Sequence, residues 1–146
     1  MSTNSVVIVK VEKKYKGIHC QWDGDFEGVG ATLHKNFNSK TSALAIVALG
    51  DCSIIASCVR INPIGHHGFS DNEREDGTIL AYHRDRNEPW NSVKPVSGRT
   101  ISEVANKFSG SYVYVWENEE WNFYKKIDGK IEKALTSELK SAILLT

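Results

Sequence analysis

The stretch SYVYVWENEEWNFYKKIDGK, beginning at Ser111, constrains the fold more than any other part of the chain. Two runs of alternating aromatic and β-branched residues flank the polar residues Glu117 to Glu120, the pattern of a β-hairpin. Tyr112, Tyr114 and Trp116 share one strand face, Trp121 and Phe123 lie opposite them, and Val113 and Val115 point to the other side. Rings of this size bury so much area that the aromatic face reads as core. The alternative is a sheet surface that binds a partner.

A second hairpin is expected near the start. SVVIVKVE (residues 5–12) is rich in β-branched residues and loses its apolar character at Lys13 and Lys14. YKGIHCQW (residues 15–22) sets Ile18, Cys20 and Trp22 against His19 and Gln21, so one face of the hairpin packs on the core. Val29, Leu33 and Phe37 recur every four residues and predict a short helix after a glycine-rich corner. Ser39 or Thr41 caps a second helix that buries Leu44, Ile46, Val47 and Leu49 and ends at Gly50.

Residues 54–61 fit either a strand or an irregular turn. HHGFSDNEREDG (residues 66–77) reads as an exposed loop, and TILAYHRD (residues 78–85) as a third strand. Thr100 and Glu103 form a capping-box pattern for a helix over residues 101–108. Ser137 would cap a terminal helix that docks through Leu139, Ile143 and Leu144. The expected fold is a single α+β domain over residues 1–146, mainly an antiparallel sheet built from hairpins, with three to four short helices.

Composition narrows the function classes. The chain has 146 residues, 40% of them hydrophobic, which is enough for one core. Eighteen basic side chains balance eighteen acidic ones, so no strong general pull toward nucleic acid is expected, while homo-oligomerisation stays open. No apolar run approaches membrane-spanning length, and MSTNSVVIVKVE lacks the marks of a signal peptide, so a cytoplasmic protein without membrane association is expected. Cys20, Cys52 and Cys58 match neither a disulfide scaffold nor a paired zinc site and read as buried small hydrophobes. A ligand set of His19, Cys20 and Asp23 with His66 or His67 is the metal alternative, disfavoured because neighbours on a strand point to opposite faces. No metal or cofactor is expected.

The corner IHCQWDGDFEGVGATL (residues 18–33) is the first candidate site. Gly24, Gly28 and Gly30 allow close approach, and the amides of residues 28–31 would open a helix, where anions are favoured. Asp23, Asp25 and Glu27 oppose a bare phosphate in the same loop. The competing reading is a structural corner whose carboxylates cap helix amides. AYHRDRNEPW (residues 81–90) is the second candidate. On a strand, Tyr82, Arg84 and Arg86 share one face and His83 and Asp85 the other, so the arginines would meet a ligand or else pin the acidic corner. His83 beside Asp85 suggests a general base, yet no catalytic signature accompanies the pair.

Taken together, IHCQWDGDFEGVGATL, ALGDCS, AYHRDRNEP and YVYVWENEEW resemble a widespread family of small uncharacterised proteins of phage, prophage and bacterial accessory genomes. The resemblance covers residues 18–121 and carries no activity. It implies a shared site at Trp22, Asp23, Gly24, Glu27, Gly28, Gly30, Thr32, Arg84, Asp85 and Arg86, to which Trp22 and Trp90 add apolar anchors. It also implies a non-catalytic accessory binding protein in the host cytoplasm that counteracts a host defence system by sequestering a nucleotide signal or a host protein. The alternative is a small hydrolase or nucleotide-processing enzyme using His83 and Asp85.

Overall fold

The computed structural model describes residues 3–58 and 77–140. Eight strands among them form one open, mixed and mostly antiparallel sheet. They are β1 (Ser5–Val11), β2 (Lys14–Cys20), β3 (Cys52–Ile54), β4 (Leu80–Ala81), β5 (Val96–Gly98), β6 (Tyr112–Glu117), β7 (Glu120–Ile127) and β8 (Lys130–Lys133). Their order is β4-β3-β2-β1-β6-β7-β8, with β5 added beside β2. The expected hairpins β1–β2 and β6–β7 are both present, and β1 joins them by running parallel to β6.

Turn chemistry fixes these pairings. Asn118 and Glu119 have φ of 58° and 62°, the left-handed pair of a type I′ turn, whose twist suits a two-residue hairpin. Asp128 and Gly129 repeat the arrangement at 51° and 79° and lead into β8. The sequence reading missed β8, although Asp-Gly is a strong hairpin signal.

The sheet is buried on both faces. Val7, Val9, Ile18, Tyr114, Trp116, Trp121 and Phe123 pack on one side against Phe26, Leu33, Ile46 and Val47. Val6, Ile8, Val113 and Val115 pack on the other against Val104 and Ala105. Burial from both sides explains the unbroken apolar run VVIV in β1, where a single covered face would have produced alternation. The aromatic face of the β6–β7 hairpin is therefore core.

The helices are shorter and more numerous than expected. A π-helical turn (Phe26–Gly30) leads into α1 (Ala31–Asn36), followed by α2 (Lys40–Ala48), α3 (Tyr82–Arg86), α4 (Trp90–Val93), α5 (Ile101–Ala105) and α6 (Thr136–Leu139). Ser39, not Thr41, caps α2 by accepting from the Ser42 amide at 3.1 Å, and Gly50 takes the left-handed φ of 80° beyond its end. Leu44 is exposed where burial was expected. Thr100 Oγ1 accepts from the Glu103 amide at 3.1 Å, while the Glu103 carboxylate reaches the Arg99 amide at 2.8 Å, one residue before the cap. Helix α5 stops at Ala105, and Lys126 Nζ donates to the carbonyls of Ala105 and Phe108.

Other expectations change. Residues 78–85 do not form one strand: β4 lasts two residues, and the chain then turns into α3. The Asp85 carboxylate accepts from the Ala81 amide at 2.8 Å, and Asn87 ends the turn at φ 56°, its amide bonded to the His83 carbonyl. Local hydrogen bonding of this kind overrides strand alternation. Of residues 54–61, Ile54 ends β3, residues 55–58 carry a single isolated bridge, Cys58 to Thr78, and residues 59–61 lie outside the described residues. Ser137 does not cap α6; Leu135 occupies the cap position, and its amide donates to the Glu138 carboxylate. The loop expected over residues 66–77 lies, apart from Gly77, outside the described residues, as do Ile143 and Leu144.

Candidate functional site

At the end of β2 the chain enters the acidic corner through Asp23, whose φ of 54° reverses its direction. The corner is fastened from several sides. Gly24 donates to the Thr3 carbonyl at 2.9 Å, and its own carbonyl accepts from Tyr114 Oη at 2.6 Å. The Val29 amide reaches the Asp23 carbonyl at 2.7 Å. Asp25 caps the π-helical turn, its Oδ1 accepting from the Gly28 amide at 3.0 Å.

These bonds correct the phosphate-cradle idea. Gly28, Val29 and Gly30 spend their amides on Asp23 and Asp25, and Ala31 donates to the carbonyls of Gly28 and Phe26. No helix-start amide in this set is left for an anion. The capping alternative describes Asp25.

Gly28 is required by close approach. A Cβ there would lie 2.0 Å from the Asp23 carbonyl oxygen and 2.8 Å from Asp25 Oδ1. Gly24 is similarly confined, with Thr3 O, Asn4 C and Ser5 Cβ each 2.8 Å from where its Cβ would stand.

Beside the corner lies an open depression of about 530 Å³. Asp23, Asp25, Glu27, Gly28 and Thr32 form one wall, and Ile54, Ile55, Ala56, Ser57 and Gly77 the other. Asp23 and Glu27 are exposed and Asp25 half-buried, so the wall presents negative charge to solvent. Four sequence candidates, Asp23, Glu27, Gly28 and Thr32, thus meet at one place. Gly24 and Gly30 are buried beneath it, and Trp22 is 37% exposed next to it in the chain. The apolar wall was missed, because residues 54–57 carry no periodicity that would align them with the corner.

Arg84, Asp85, Arg86 and Trp90 do not line this depression. Asp85 is buried and accepts from Arg84 through two nitrogens, the Nη2 contact being 2.9 Å, while the same Nη2 donates to the Ile79 carbonyl at 2.8 Å. Arg84 thereby ties α3 to β4. Arg86 sits 5.3 Å from the centroid of the Tyr82 ring, and the Tyr82 hydroxyl donates to Gln21 Oε1. His83 turns its Nδ1 to the Glu88 carbonyl at 2.8 Å and meets the half-exposed Trp90 edge-on. His83 and Asp85 therefore do not form a His–Asp relay. The strand-face assignment of these side chains is replaced by the geometry of a helical turn.

His19 stacks on Phe108, while Cys20 lies in the opposite core and directs its thiol toward the Trp22 and Ser53 carbonyls. Burial lowers the His19 pKa and raises that of Cys20 to about 12. Among the described residues no three His, Cys, Asp or Glu side chains are arranged to hold a metal, and His66 and His67 lie outside them.

Asp51 is a titrating group that sequence reading did not single out. Its Oδ1 accepts from the His19 amide at 2.9 Å, yet burial raises its pKa to about 6. The folded chain therefore holds this proton more tightly than the unfolded chain does. Stability from the protonated carboxyl is present below pH about 4 and lost as pH rises through about 6. Asp51→Asn keeps the acceptor without the charge. It should raise the thermal midpoint at pH 7 and leave it unchanged at pH 4; scanning calorimetry at both pH values checks this.

No family model, curated protein or solved structure matches this chain. Among the described residues no helix is long and apolar enough to cross a membrane.

Proposed function

We propose that the chain is a non-catalytic binding protein whose acidic depression receives a cationic segment of a partner protein. The observation that carries this reading is the meeting of Asp23, Asp25 and Glu27 with Ile54 and Ile55 around one open space. Carboxylates held by a hydrogen-bonded corner need no reorganisation to meet a lysine or arginine side chain, and the isoleucines accept its alkyl stem. A nucleotide would require cations on these walls, and the lining among the described residues has none. The resemblance to phage and prophage accessory proteins supports a host defence protein as the partner, sequestered in the host cytoplasm.

A thermal-shift series tests the reading. A short lysine- and arginine-rich peptide present at 100 times its dissociation constant should add about 2.7 kcal/mol of stability. Cyclic and linear nucleotides should add none. Glu27→Lys, a surface change, should abolish the peptide effect without moving the unliganded midpoint. In cells, the wild-type protein but not this variant should restore phage plating on a defence-carrying host. Stabilisation by a nucleotide alone would replace this reading with the nucleotide-sequestering one, and stabilisation by neither class would overturn both.

A further inference from the structure

The opposite end of β2 carries a surface of different chemistry. Val11, Glu12, Lys13, Lys14, Lys16 and Ser97 line a cleft of about 570 Å³ at the β1–β2 turn. The pairings Val11 with Lys14 and Lys16 with Ser97 place these four side chains on one face of the sheet, because paired residues share a face. That is the face of Val7 and Val9, which is packed deeper in the core. Here the cover has ended: Val11 is 37% exposed, and Lys13, Lys14 and Lys16 are exposed.

None of these three lysine side chains makes an ion pair or hydrogen bond with a described residue. Among the described residues Glu12 is the only acidic side chain of the lining. The result is an uncovered strip of sheet with an apolar centre and a cationic border.

We infer that this strip is a docking surface for an acidic protein segment in which carboxylates flank an apolar residue. Charge complementarity selects an anionic occupant, and the exposed Val11 selects one that also buries hydrocarbon. Among the described residues the lining has no aromatic ring on which a base would stack and no guanidinium fork for phosphate, the two devices by which proteins hold single-stranded nucleic acid. Tyr15, the nearest ring in the turn, instead donates to Glu117 at 2.7 Å. The surface is independent of the acidic depression. β2 runs from Lys14 in the cleft to Cys20 beside the corner, about 20 Å at 3.3 Å per residue, so both surfaces can be occupied at once.

Fluorescence anisotropy with the whole protein tests this inference. One probe is a labelled peptide of alternating glutamate and leucine; the other is a labelled oligothymidylate of equal charge. The peptide should bind the wild-type protein. Its affinity should fall about tenfold or more when salt is raised from 50 to 500 mM, because exposed charges are screened over that range. Lys14→Glu with Lys16→Glu should abolish binding while circular dichroism and melting stay unchanged, and Val11→Ser should weaken it severalfold. Equal or tighter binding of the oligonucleotide, or peptide binding that survives both lysine reversals, would overturn the inference. Glu27→Lys should leave peptide binding intact, so failure at one surface does not count against the other.

Discussion

Gly28→Ala is expected to cost about 3 kcal/mol of stability, at the upper end for forcing extra volume into a closed site. At this chain length that corresponds to a fall of about 10 °C in the thermal midpoint. The new methyl group would lie 2.0 Å from the Asp23 carbonyl oxygen, far inside contact distance. That oxygen cannot retreat freely, because it accepts from the Val29 amide at 2.7 Å, and the next residue is held through the Thr3 carbonyl and the Tyr114 hydroxyl. Relief therefore means breaking the corner. Gly129→Ala is the control: its φ of 79° disfavours a side chain, but nothing lies within 4 Å of the new Cβ. It should cost about 1 kcal/mol, the usual penalty of a left-handed residue. Equal and small losses for the two variants would mean that the corner relaxes around a methyl group, and the depression beside it would lose its claim to a fixed shape.

The contrast between these glycines shows what could be read from the chain alone. Asn118-Glu119 and the alternating runs around it identified the β6–β7 hairpin, because strand alternation and turn geometry are local properties. The β1–β2 hairpin was equally readable, and so were the caps at Gly50 and Thr100, while Ser39 was one of two candidates with Thr41. The corner was visible as a cluster of glycines and carboxylates, but its internal use of Asp25 as a cap depended on which amides came within reach. Failures occurred where a side chain competed with the backbone pattern. TILAYHRD has the residue types of a strand, yet Asp85 bonding to the Ala81 amide closes a turn after two residues. Every face assignment for Arg84, Arg86 and His83 then changed with it. The apolar wall of residues 54–56 reaches the depression only through the parallel pairing of β3 with β2, a long-range contact with no local signal.

The same Asp85 supports the second large effect. Asp85→Ala is expected to destabilise the protein by about 3 kcal/mol, the lower end for breaking a buried pair, since Arg84 loses its carboxylate partner even though its bond to the Ile79 carbonyl remains. The Asp85 side chain is 2% exposed and that of Arg84 19%, so water cannot readily replace the lost bonds. The Ala81 amide would also lose its acceptor, and with it the closure of α3. Asp85→Asn should cost less, because its carbonyl oxygen still accepts from Ala81 while the charge pairing with Arg84 is lost. Urea titrations of the two variants should therefore find Asp85→Ala more destabilised than Asp85→Asn. That order identifies Asp85 and Arg84 as the bracket that folds α3 back on β4. If Asp85→Ala instead unfolds at the wild-type urea midpoint while losing partner binding, the pair belongs to a working surface and the depression at the corner is not the whole of it.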